Sequence, residues 1–116
     1  SGGETIHLEK LQDRLIDATQ AAHLPIKTIL LTSMQNDEWG EQLIALVRFK
    51  KTASQVNDSE VILKLKELIK DWLPHEKPVF WYHCPNLTTN AFGKWELEKW
   101  RTWAKRNQSQ NDPFTD

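Results

Sequence analysis

The sequence predicts an α+β domain, a small sheet of about three strands flanked by helices. Three observations carry that reading. Three stretches hold apolar residues at helical spacing, and three short runs between them are rich in β-branched and aromatic residues. The order is helix, strand, strand, helix, strand, helix, with no internal repeat of about 20 to 50 residues.

From Leu8 onward, Leu8, Leu11, Leu15, Ile16 and Ala22 recur at helical spacing and Pro25 blocks continuation, which predicts a helix over 8–21. Residues 28–32 (TILLT) and 43–49 (LIALVRF) are apolar runs joined by the polar, glycine-containing stretch 35–41. They are expected to pair antiparallel. Residues 50–58 show no periodicity and read as a loop, with Asn57, Asp58 or Ser59 as the cap of a second helix. Val61, Leu65, Leu68, Ile69 and Trp72 share a helical stripe, so that helix is expected over 59–72, closed by Pro74. After Lys77-Pro78 the run VFWYH (79–83) reads as a third strand, ended by Pro85. Residues 85–94 form a polar loop, and Trp95, Leu97, Trp100, Trp103 and Ala104 predict a third helix to Arg106. The domain is expected to occupy 1–107, with 108–116 as a flexible polar tail.

A chain of 116 residues with 39% hydrophobic content can bury a core without disulfides or a structural metal. Fifteen Lys and Arg against sixteen Asp and Glu give a net charge of -1, so no overall positive field attracts a polyanion and nucleic acid is not an expected partner. The single cysteine, Cys84, has no internal partner, which suits a reducing compartment, and the cytoplasm is the expected location. No apolar run approaches the ~20 residues of a membrane span.

The strongest candidate site is Gly93-Lys94 with its preceding loop. Glycine permits a tight turn or close approach to a ligand, and lysine delivers a compact cation to a phosphate or carboxylate. The N-terminus of the third helix would add its dipole to the same anion. The bland reading is an ordinary turn with a solvated lysine. Trp100 and Trp103 read as core, whereas Trp95, beside the lysine, stays open. Ser1, Gly2, Gly3 and Glu4 suit a backbone loop lining a narrow channel, or an expression scar.

Asp37-Glu38-Trp39-Gly40 pairs two carboxylates in a turn, where solvation or capping is the ordinary role, and Trp39 is expected to pack on the sheet. His7, His23, His75 and His83 lack ligand spacing, so no metal site is expected. His83 and Cys84, as neighbours on a strand, point to opposite faces, and Cys84 reads as a small apolar residue. The glycines Gly2, Gly3, Gly40 and Gly93 assemble neither phosphate-cradling motif, GxxxxGK or GxGxxG.

Taken in order, four fragments resemble the small C-terminal domain of the adenylate-forming acyl-CoA synthetases, a superfamily that includes luciferases and nonribosomal adenylation domains. SGGETIHLEKLQDRL resembles the segment after the interdomain hinge, and NDEWGEQLIALVRF the acidic, aromatic, glycine turn and its strand. LPHEKPVFW resembles the approach to the next strand, and NAFGKWEL the closing G-K motif. The chain departs from the usual GKIxR ending at Trp95 to Leu97, and Thr88 stands where many members carry proline.

The resemblance implies that Lys94 reaches into a large N-terminal adenylation domain and bridges the substrate carboxylate and the α-phosphate of ATP, with Asn90 and Gly93 positioning its loop. It implies that Ser1, Gly2, Gly3 and Glu4 then line the pantetheine channel for transfer to CoA. The substrates implied are a small carboxylic acid, ATP with Mg, and CoA. The chain would be a fragment of that ligase, inactive alone. Within the family, the tryptophan-rich ending GKWELEKWRTWAKR resembles 2-succinylbenzoate-CoA ligases of menaquinone and phylloquinone biosynthesis. The other reading is a non-enzymatic interaction domain for a protein or an anionic ligand.

Overall fold

A computed structural model describes residues 7–38, 40–50 and 58–108. Helix α1 spans Leu8–Ala21. It buries Leu11 and Leu15, while Leu8 and Ile16 are partly covered. Ala22 was expected on the same stripe but lies exposed beyond the last turn. There His23 adopts a left-handed conformation (φ 57°), and the N–H groups of His23 and Leu24 donate to Gln20 and Thr19 carbonyls at 3.1 and 3.0 Å. This 5→2, 6→1 pattern satisfies the orphan carbonyls just before Pro25.

Strands β1 (Ile26–Asn36) and β2 (Gly40–Phe49) pair antiparallel, as expected, from Ile26↔Phe49 to Asn36↔Gly40. Both are longer than the apolar runs that announced them. The expected linker 35–41 is largely ladder: Gln35 faces Glu41, so backbone pairing carries the hairpin past its hydrophobic residues. Residues 51–57, within the expected loop 50–58, lie outside the described residues, as does the candidate cap Asn57.

Helix α2 spans Asp58–Leu68, ending short of the expected residue 72. The chain tightens there into i→i+3 bonds, from Lys70 N–H to Glu67 O and from Trp72 N–H to Ile69 O, and a 3₁₀ turn comes next at Pro74–Glu76. The buried stripe is Val61, Ile62, Leu65 and Ile69; Leu68, expected in it, is 37% exposed. Arg14 fastens this corner to α1, with its guanidinium 4.0 Å from the Trp72 ring centroid and 3.5 Å from the Glu76 carboxylate.

Strand β3 (Phe80–His83) joins β2 in parallel, completing the order β1-β2-β3. Helix α3 spans Leu97–Gln108. The sheet is covered on both faces, which explains its near-continuous apolar strands. Ile29, Leu31, Ala45, Val47 and Trp81 face α1 and α2. Leu30, Ile44, Leu46 and Tyr82 face the other way, toward Trp100 and Ala104 of α3. Gln12 Oε1 accepts the Leu31 N–H of the edge strand at 2.8 Å, a buried donor that would otherwise cost about 1 to 3 kcal/mol. No helix among the described residues is long and apolar enough to cross a membrane.

Candidate functional site

The segment between β3 and α3 carries the predicted lysine, and its root is fixed by ordinary core packing. Cys84 N–H donates to Val47 O at 2.8 Å, prolonging the sheet contact by one residue. Leu87 is fully buried among Leu46, Tyr82 and Trp100. Arg48, on β2, donates from Nη1 to the Leu87 carbonyl at 3.1 Å. Three independent contacts therefore hold the start of the loop.

Beyond Leu87 the chain makes a closed turn built on Asn90. Asn90 N–H donates to Lys94 O at 2.8 Å and Gly93 N–H donates to Asn90 O at 2.9 Å. With Gly93 at φ +77°, this is the bonding of a three-residue hairpin loop closed by a left-handed glycine. The Asn90 carboxamide adds two bonds, its Oδ1 accepting from Phe92 N–H at 2.9 Å and Lys94 N–H at 3.1 Å. A Cβ built on Gly93 meets nothing within 4 Å. Within this domain, glycine is needed for its backbone angle and not for close approach.

The side chains leaving this turn are not tied down. Lys94 is exposed, and its Nζ has no hydrogen-bond or ion-pair partner among the described residues. Phe92 is 87% exposed. The far side of the turn is anchored again, because Trp95 is partly buried against the cluster formed by Trp100 and Ala104. Arg101 locks α3 to β1, donating from Nε to Thr32 Oγ1 and Ser33 O, each at 3.0 Å.

The helix begins later than expected. Trp95 and Glu96 lie outside α3, whose first bond runs from Trp100 N–H to Glu96 O, and Leu97 is 39% exposed. The reason is local: the Lys94 carbonyl is already held by Asn90 N–H, so Lys94 belongs to the hairpin loop and not to the first helical turn. At its other end α3 continues two residues past Arg106, with Asn107 Nδ2 donating to Trp103 O at 2.8 Å.

The structure thus brings together Asn90, Gly93 and Lys94. Ser1, Gly2, Gly3, Glu4 and Trp39 lie outside the described residues. Asp37 and Glu38 are exposed in the β1–β2 turn, far from β3 in the ladder. Cys84 is buried, and burial raises its thiol from 9.0 to about 11, against smaller opposing effects of nearby backbone N–H groups and Arg48. It is an apolar-like core residue, as expected, and His83 instead stacks near Phe49 with ring centroids 4.6 Å apart. Among the described residues no group of three or more His, Cys, Asp or Glu side chains is placed to hold a metal.

Sequence reasoning did not single out Phe92 or Arg48. The signal for Phe92 was present: a large apolar residue between Asn90 and Gly93 sits in a turn that cannot bury it. Arg48 left no such signal, because its partner is a backbone carbonyl 39 residues away.

No family model matches the sequence, and no curated protein matches it. Solved structures do. The anthranilate CoA ligase AuaEII in complex with anthranoyl-AMP aligns over 93% of this chain and 20% of its own, at TM-score 0.72 and 16% identity. A benzoate CoA ligase from Burkholderia xenovorans LB400 aligns over 85% of this chain and 19% of its own, at TM-score 0.64 and 21% identity. The amide bond synthetase McbA from Marinactinospora thermotolerans gives TM-score 0.61 and 20% identity over 84% of this chain and 18% of its own. The chain spans about a fifth of the length of these structures.

Proposed function

We propose that this chain, which has the fold of the small C-terminal domain of the acyl-CoA synthetases, is the catalytic-lysine domain of an ATP-dependent acid–thiol ligase. The observation that carries the reading is the Asn90–Gly93 turn, which holds an exposed Lys94, its Nζ without a partner among the described residues, on a loop anchored at both ends. Joining a carboxylate to the α-phosphate of ATP requires two anions to approach in line. A preorganised cation between them lowers that repulsion as pyrophosphate leaves.

In this reading the rest of the site belongs to a large N-terminal adenylation domain of the same protein, which would bind ATP with its Mg and the carboxylic acid. Once the adenylate has formed, the small domain would turn on its hinge. Lys94 would withdraw, and Ser1, Gly2, Gly3 and Glu4 would line the pantetheine channel for transfer to CoA. The tryptophan-rich ending favours 2-succinylbenzoate as the acid, which would place the protein in cytoplasmic menaquinone or phylloquinone biosynthesis.

The test is Lys94→Ala in the full-length parent, with ATP-dependent adenylation of 2-succinylbenzoate and CoA transfer from preformed adenylate measured separately. Adenylation is expected to fall on the order of 10² to 10³-fold, the usual loss of one preorganised electrostatic contact, while transfer persists. Both steps at the parent's rate would leave Lys94 a solvated lysine, and the domain an interaction module for a protein or an anionic ligand.

A further inference from the structure

Phe92 is the most exposed of the large hydrophobic residues in the described chain, at 87%. The aromatic residues on either side of its loop behave differently: Tyr82 and Trp100 are buried, and Trp95 is partly buried. A phenylalanine at the tip of this hydrogen-bonded turn adds nothing to the core of this domain, because it packs against neither core cluster. Its backbone is nevertheless held firmly. The Asn90 Oδ1 that accepts Phe92 N–H also accepts Lys94 N–H, so one carboxamide fixes both residues. Whatever seats the Phe92 ring also sets where Lys94 stands.

Resting on the reading of Lys94 given above, we infer that Phe92 is a positioning residue that docks in an apolar recess of the large adenylation domain. It would locate Lys94 for adenylate formation and release when the small domain turns for CoA transfer. The occupant of this contact is the parent's own large domain, because the chain spans about a fifth of the structures it matches and the Lys94 loop must enter the remainder to act. Phe92 and Lys94 leave the same turn, so the ring arrives with the cation. Apolar docking also suits a contact that must be broken in each cycle, since it is non-directional and leaves no buried charge unpaired.

The experiment compares Phe92→Ala, Phe92→Leu and Lys94→Ala in the full-length parent, using whichever of 2-succinylbenzoate, benzoate and anthranilate the parent adenylates. Pyrophosphate release and CoA transfer from preformed adenylate are measured separately. Phe92→Ala is expected to lower kcat for adenylation about 10-fold, equivalent to about 1.4 kcal/mol, with the KM for ATP and the rate of transfer unchanged. Phe92→Leu, which keeps an apolar side chain, should recover most of the loss.

Phe92→Ala adenylating at the parent's rate while Lys94→Ala collapses would overturn the docking role and leave the lysine's role standing. An equal loss in both half-reactions, or no recovery with leucine, would also overturn it. Lys94→Ala at the parent's rate would remove the reading on which the inference rests.

Discussion

In the turn between β1 and β2, Asn36 Oδ1 accepts Glu38 N–H at 2.8 Å and Gly40 holds φ +76°. In the turn before α3, Asn90 Oδ1 accepts Phe92 N–H at 2.9 Å and Gly93 holds φ +77°. The two turns use the same local chemistry, an asparagine that mimics a backbone acceptor and a glycine in the left-handed region. They differ in their backing. The first is continued by a long antiparallel ladder, so its shape is fixed twice, by the turn and by the sheet. The second continues into no ladder, and a second bond from Lys94 N–H to Asn90 Oδ1 takes that place. A turn continued by a ladder is expected to tolerate the loss of its asparagine better than a turn held only at its root and by its own carboxamide.

The sharpest way to break this comparison is to remove each asparagine from the full-length protein. Under the proposed role of Lys94, Asn90→Ala is expected to lower adenylation on the order of 10²-fold, the scale of a misplaced catalytic group, because Lys94 N–H loses its acceptor on the Asn90 carboxamide. Asn36→Ala should leave that rate unchanged. Equal rates for the two variants would show that the Lys94 loop does not need its carboxamide. A related prediction concerns the chain by itself: the isolated 116 residues should form no adenylate from ATP and 2-succinylbenzoate, and measurable product would contradict the proposed need for a large domain.

The glycines should behave alike in stability. A Cβ at Gly40 or at Gly93 meets nothing within 4 Å, so alanine costs only the left-handed backbone, about 1 to 2 kcal/mol at each position by chemical denaturation. A markedly larger loss at Gly40 would mean that the ladder amplifies strain at its own turn. His23, also left-handed, already bears that cost without being glycine. His23→Gly is expected to stabilise the domain by up to about 1 kcal/mol in the same measurement.

The smallest effect at neutral pH belongs to Cys84, at the root of the second turn. Its folded thiol is raised to about 11 from 9.0, so the folded state holds that proton more tightly than the unfolded state does. The stabilisation is fully present below about pH 9 and is lost as pH rises through about 11. Near pH 7.5 the thiol should resist alkylation until the protein unfolds. Rapid labelling of the native protein would show that the loop root opens.

The two turns also separate what can be read locally from what cannot. Gly93 and Lys94 stood out in the sequence because a glycine beside a lysine is a local turn signal, whereas Asn90 entered only through the resemblance to the family's closing motif. The helical reading that began at Trp95 went astray because periodicity alone does not reveal that the Lys94 carbonyl is claimed by Asn90. Likewise, Leu68 and Ile62 are both apolar and lie near the same stripe of α2. Only the packed sheet decides that Ile62 is buried at 1% exposure while Leu68 stays at 37%.

Four features are legible in the chain alone: the order of helices and strands, the antiparallel β1–β2 hairpin, the turn that carries Lys94, and the apolar character of Cys84. Each rests on periodicity, turn residues or composition, which act over a few neighbouring positions. The parallel docking of β3 on β2, the division of the core between the two sheet faces, and the anchoring of the lysine loop by Arg48 and Leu87 emerge only when the elements pack. These depend on contacts between residues far apart in the chain. No local pattern encodes them, because whether such contacts form depends on burying both partners at once.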